Sequence, residues 1–138
     1  MEDSSSDLFF ALVQFSGDAV KRMDANLSIH GISFTEYRVL HHLSLNPART
    51  LPRIELARSV GLTASGVTRM LAPMEKIGLV RKKSHPRDAR MSLVKLSKSG
   101  KSIYGDASTT VAHVASSFLD SLSKVQRDSL SRLFSGLK

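Results

Sequence analysis

Between Pro52 and Leu96 the period of the apolar residues changes, and that change limits the possible folds more than any other feature of the chain. A short helical pattern runs from about Pro52 to Val60, with Ile54, Leu56, Ala57 and Val60 available for packing, and stops at Gly61. After the Gly61-Leu62 turn, Thr63 is a good N-cap for a second helix reaching Ile77. Its apolar side is Val67, Met70, Leu71, Met74 and Ile77, and Gly78 can take the left-handed conformation that closes it. Pro73 removes the amide that would bond the carbonyl of Arg69, which predicts a bend and not a break. From Leu79 the period falls to two: Leu79 to Lys83 and Met91 to Leu96 read as short strands, joined by Ser84-His85-Pro86-Arg87-Asp88-Ala89-Arg90.

The flanks are helical throughout. Ser6 or Asp7 can cap a first helix carrying Leu8, Leu12, Phe15, Ala19 and Met23 at spacings of three and four, and Gly31 ends that region. Ser33 or Thr35 opens the next, with Tyr37, Val39, Leu40 and Leu43, before Asn46-Pro47 breaks it. Past the hairpin, Ser97 can cap a long helix in which Tyr104, Val111 and Phe118 recur every seven residues, as do Ala107 and Val114. Ser123 and Gln126 stand in capping-box spacing before a last helix with Val125, Leu130, Leu133, Phe134 and Leu137. The long stripes are hard to bury in one chain of this size, and they favour packing across two.

Charge is segregated. Arg49 to Lys101 holds thirteen of the twenty Lys and Arg residues against Glu55, Glu75 and Asp88, a local balance of +10 within a net +8. The excess coincides with the helix-turn-helix-like pattern and the hairpin, which points to a polyanionic partner. Having no cysteine, the chain cannot form disulfides, thiolate metal sites or a cysteine peroxide sensor. The apolar run Leu8 to Val13 is too short to cross a bilayer, and the acidic, serine-rich Met1 to Asp7 does not resemble the head of a signal peptide. These features predict a soluble, cytoplasmic protein. An enzyme is not expected, since there is no Gly-rich phosphate loop, paired metal-ligand motif or serine in a nucleophile turn.

Helix, helix, tight turn, helix and hairpin is the winged helix-turn-helix order. The run Leu56-Ala57-Arg58-Ser59-Val60-Gly61-Leu62-Thr63-Ala64-Ser65-Gly66-Val67-Thr68-Arg69, then Leu71 and Glu75-Lys76-Ile77-Gly78-Leu79-Val80, resembles the helix-turn-helix of MarR-type (multiple-antibiotic-resistance) transcriptional regulators. Pro86-Arg87-Asp88-Ala89-Arg90, then Leu93-Val94-Lys95-Leu96-Ser97 and Gly100, is similar to that family's Asp-x-Arg wing signature and the element after it, with Ser97 where threonine is usual. The fold expected is mainly α with a small β-hairpin wing: an N-terminal dimerisation helix (1–32), a winged helix-turn-helix (33–97) and C-terminal dimerisation helices (98–138).

The resemblance implies a homodimeric, sequence-specific DNA-binding regulator, typically a ligand-responsive repressor on a pseudo-palindromic operator. The helix from Thr63 would enter the major groove of double-stranded DNA with Thr63, Ala64, Ser65, Thr68 and Arg69 nearest to it. Arg90 would enter the minor groove, Asp88 would hold the hairpin tip, and Lys83 and Arg87 would meet phosphates. Arg81, Lys82 and Lys83 are equally accounted for as a solvated strand edge. Leu8, Leu12, Phe15, Val111, Val114, Phe118, Leu133 and Phe134 would meet the second subunit, setting the two recognition helices roughly 34 Å apart.

The family often admits a small-molecule effector near the junction of the first two helices, where His30, Tyr37 and His41 lie. Ordinary core or surface positions explain each of them as well. No metal or cofactor is expected, because adjacent His41 and His42 project to different sides of a helix. Two other functions fit the same residues: an architectural protein that binds DNA without sequence preference, and a winged helix that binds protein.

Overall fold

The computed structural model describes residues 4–137, so Met1 to Asp3 of the acidic segment lie outside it. Helix α1 (Ser5–Leu27) begins a residue or more before the predicted caps Ser6 and Asp7, with Ser4 at the N-cap making no side-chain bond. A single 3₁₀ turn, Ser28–His30, follows and is closed by Gly31 at φ 75°. Helix α2 (Phe34–Leu45) opens on a full capping box. Ser33 Oγ accepts the Glu36 amide at 3.1 Å, while Glu36 Oε1 accepts the Ser33 amide at 2.8 Å. Asp24 Oδ1 accepts the Phe34 amide at 2.7 Å, so a carboxylate of α1 also sits at the positive end of α2.

The sheet holds one strand more than the sequence predicts. Strand β1 (Thr50–Pro52) pairs antiparallel with β3 (Ser92–Leu96), which pairs on its other edge with β2 (Val80–Ser84), giving the order β1-β3-β2. Three residues are too few to show a period of two, and Pro52 disguises them further. Pro52 therefore ends a strand and stands at the N-cap of α3 (Arg53–Val60), not within its first turn.

Helix α4 (Ala64–Lys76) starts at Thr63, whose Oγ1 accepts the Gly66 amide at 3.0 Å, and runs unbroken through Pro73. Helix α5 (Lys98–Phe118) and helix α6 (Lys124–Gly136) are capped by Ser97 and Ser123, the latter with the reciprocal Gln126 bond. Leu40 and Leu43 of α2, Leu56 of α3, Leu71 and Met74 of α4, and Leu79, Val80 and Val94 of the sheet close one core.

Two packing expectations are overturned. Ile77 is 60% exposed, because α4 ends at Lys76 and the turn at Ile77-Gly78 no longer follows the helical period. Val114 is buried within the chain against α1 and is not free to meet a second subunit; Val111 is half-buried beside the same core. The seven-residue stripe of α5 is thus used largely at home. By contrast Leu8, Phe9, Phe10, Leu12, Val13 and Phe15 of α1, and Leu133 and Phe134 of α6, are exposed.

At the junction of α4, the wing and α5, Ser97 Oγ accepts the Gly100 amide at 2.9 Å and faces the carbonyls of Gly78 and Leu79 at 2.5 and 2.9 Å. The Ser97 amide donates to Leu79 O at 3.1 Å. Gly100 is buried directly on that carbonyl, where a Cβ would collide with Leu79 O. In an open helix Gly→Ala stabilises; here the backbone clash reverses the sign. Gly100→Ala is expected to lower unfolding free energy by about 1–3 kcal/mol, read from urea denaturation, and a gain in stability would show that α5 does not rest on Leu79.

Candidate nucleic-acid interface

The turn between α3 and α4 is fixed by backbone geometry. Gly61 takes φ 70°, and the Leu62 amide bonds Ala57 O at 2.9 Å, so the chain reverses in two residues and starts α4 at a set angle to α3. Thr63, Ala64, Ser65 and Arg69 are exposed on the first turns of α4, beside the helix amides that attract anions. Thr68 is half-buried and its hydroxyl donates to Ala64 O at 2.9 Å. Its bonding capacity is therefore partly used within the helix. Among the described residues Arg69 makes no hydrogen bond or ion pair, which leaves its guanidinium available to a ligand.

The wing tip is an ordered turn. Asp88 Oδ1 accepts the Arg90 backbone amide at 3.0 Å and meets Arg90 Nε at 3.2 Å, while the Met91 amide bonds Asp88 O at 3.0 Å. Arg90 stays 93% exposed, so the pair orients it without burying it. An exposed pair of this kind adds little stability; its use is directional. Lys83 and Arg87 are exposed on the outer strand and at the tip.

One concavity joins these parts. A cavity of about 180 Å³ has Arg53, Ile54, Ala64, Val67, Arg90 and Met91 among its walls, so the start of α4 and the inner face of the wing border one hollow. Arg53 is the residue that sequence reasoning missed. A basic first residue of α3 within the basic segment was the available signal, but only the fold puts it next to Ala64 and Arg90.

His30, Tyr37 and His41 occupy a different place. His30 Nε2 meets Thr110 Oγ1 at 2.8 Å, Tyr37 OH meets Ser108 Oγ at 2.9 Å, and His41 Nδ1 meets Tyr104 OH at 2.7 Å. Ser108 donates to Tyr104 O at 2.7 Å, so Tyr37 is the donor in its pair, and burial raises the Tyr37 phenol above its ordinary value. Tyr37 also stacks on Tyr104 with centroids 5.2 Å apart. The three residues lie along the seam that the 3₁₀ turn and α2 make with α5, and their polar atoms are engaged there; they do not line the apolar groove. That groove, about 500 Å³, lies between α1, α5 and α6 and is lined by Leu12, Phe15, Met23, Phe34, Phe118 and Phe134 among others. No group of three or more metal-ligating side chains forms among the described residues.

Burial, then the nearby His41 and Arg38, lower the pKa of His42 below its ordinary 6.5. A histidine whose folded pKa is depressed leaves stability intact above the unfolded value and reduces it as pH falls from there to the folded value. Acidification below about pH 6.5 should therefore destabilise the chain, and His42→Gln should lessen that loss in thermal melts taken across pH. An unchanged pH dependence in the variant would assign the loss elsewhere.

Residues 30–91 match the model of the MarR family. A search of curated proteins finds no match. Among solved structures, the chain is similar to Sco3205, a MarR family transcriptional regulator from Streptomyces coelicolor in complex with DNA. The identity is 22%, with 97% of this chain and 85% of that chain covered, at a TM-score of 0.88. It is also similar to AbsC, a MarR family transcriptional regulator from the same organism, at 18% identity, with 100% and 92% covered and a TM-score of 0.87. A mutant MarR from E. coli complexed with operator DNA aligns at 20% identity, with 98% and 97% covered and a TM-score of 0.86. At such identities the likeness is one of fold.

Proposed function

We infer that the chain is a member of the MarR family, whose model its residues 30–91 match, and that it is a sequence-specific, DNA-binding transcriptional regulator acting as a homodimer. The observation that carries this reading is the hollow shared by Ala64 and Arg90, which sets the first turn of α4 and the wing on one basic face. Helix α4 fits the major groove, with Arg69 reaching base edges and Thr63 and Ser65 near the phosphates. Arg90, aimed by Asp88, fits the adjacent minor groove, while Arg53, Lys83 and Arg87 meet the backbone. Two structural relatives are described bound to DNA, one of them to operator DNA, which supports the same partner here.

Dimerisation is the part of the reading supported by uncovered apolar surface. Phe10 is 69% exposed, Leu133 64% and Phe134 53%, on helices that lie outside the DNA-reading core. A second copy covering α1 and α6 would bury them and pair the two α4 helices on a palindromic site. Repression relieved by a small molecule completes the proposal. A ligand need only prefer the dimer geometry that misfits DNA, by a few kcal/mol, to empty the operator. Such a regulator would act in the cytoplasm and need no enzymatic activity. No helix among the described residues is long and apolar enough to cross a membrane.

Selection of bound sites from a random duplex library tests the function, run with the chain and with an Arg69→Ala/Arg90→Ala double variant. A palindromic consensus that the variant fails to enrich is the expected result. Unselective recovery by both proteins would replace this reading with an architectural one, and no recovery with a protein-binding winged helix. For the assembly, Leu133→Glu/Phe134→Glu is expected to convert a dimer into a monomer in sedimentation velocity. A variant that remains dimeric would place the interface away from α6.

A further inference from the structure

We propose that neutral His85 is the positioning residue of the wing: its Nδ1 holds the tip turn that aims Arg90, so that protonating His85 loosens the wing's hold on DNA. The inference rests on the reading above that the wing contacts DNA.

His85 Nδ1 accepts the backbone amides of Arg87 at 3.0 Å and Asp88 at 3.1 Å. Amides two and three residues ahead are the ones that an Asn or Asp side chain takes with Oδ1 when it builds a turn, and Nδ1 stands at the same bond distance beyond Cγ. A ring nitrogen that accepts two N–H groups carries no proton, so the imidazole is neutral with its proton on Nε2. Asp88, held by its own amide, then holds Arg90 through both the backbone and Nε. The base of the turn is closed by the His85 amide on Met91 O at 3.4 Å. Orientation passes in this way from His85 to Asp88 to Arg90.

Protonation would turn Nδ1 from an acceptor into a donor facing two donors, and the turn would have to open. The charged groups around His85 are Arg87, Asp88 and Arg90 on the tip and Lys83 upstream on β2; Met91 and Ser92, the nearest residues toward β3, carry none. The sign of the effect discriminates. An imidazolium acting merely as one more cation beside phosphates would strengthen binding on acidification, whereas loss of the turn weakens it.

Affinity for a random-sequence duplex at low salt, read by fluorescence anisotropy, is compared for the chain, His85→Asn and His85→Ala at about pH 8 and about pH 5, across the range where histidines titrate. Asparagine supplies the same acceptor without titrating. It should match the native chain at the higher pH and bind roughly three- to tenfold more tightly than it at the lower, the range of one or two exposed hydrogen bonds. Alanine should be weaker than asparagine at both. A native chain that gains affinity relative to the asparagine variant on acidification overturns the proposal.

A second readout needs no DNA. The amide resonances of Arg87 and Asp88 should move between about pH 8 and about pH 5 in the native chain and stay still in His85→Asn. Amides indifferent to pH reject the turn itself. Amides that move with no change in relative affinity reject the wing's part in DNA binding and leave the turn standing.

Discussion

The structure turns on the contact of Gly100 with the carbonyl of Leu79. Four segments meet there: the end of α4, the first residue before β2, the end of β3 and the first turn of α5. Because Gly100 has no side chain, α5 can rest directly on backbone, and Ser97 then serves the two carbonyls and its own helix start at once. Helix α4, the wing and the long C-terminal helix are therefore joined by main-chain atoms, which cannot repack as side chains can. The positions of Arg69 and Arg90 relative to α5 follow from that joint.

Much of this was legible in the sequence where local chemistry decides. Ser33, Thr63, Ser97 and Ser123 cap the helices that begin after them, and Gly31, Gly61 and Gly78 take positive φ where turns require it. Each depends on a few neighbouring residues. Strand β1 was not legible, because its three residues are a strand only by virtue of pairing with β3, some forty positions away. Ile77 was misplaced by extending a helical period one residue past the helix.

The candidate interface could be outlined from the sequence to the same degree. The basic segment and the Asp-x-Arg spacing marked Arg69, Asp88 and Arg90, but Arg53 enters only once α3 is folded against α4 and the wing. The polar residues of the 3₁₀ turn and α2 show the opposite case. His30, Tyr37 and His41 look like ligand-binding groups in a list of residues, yet their partners Thr110, Ser108 and Tyr104 lie on α5, and no sequence spacing reveals that complement. Val114 was misplaced for a related reason, since a heptad stripe does not say which helix will face it.

Those three polar pairs descend α5 as they ascend from His30 through α2, like teeth of a rack set against another. To slide α5 by one turn would separate His30 from Thr110, Tyr37 from Ser108 and His41 from Tyr104 together, giving up three hydrogen bonds at half-buried positions and the stacking of Tyr37 on Tyr104. The seam therefore meshes in one register. Each α4–wing unit is thus carried as a stiff lever on α5, and in the homodimer proposed above any adjustment in the separation of two such units would come from rolling at the α1 and α6 surfaces and not from slip along α5.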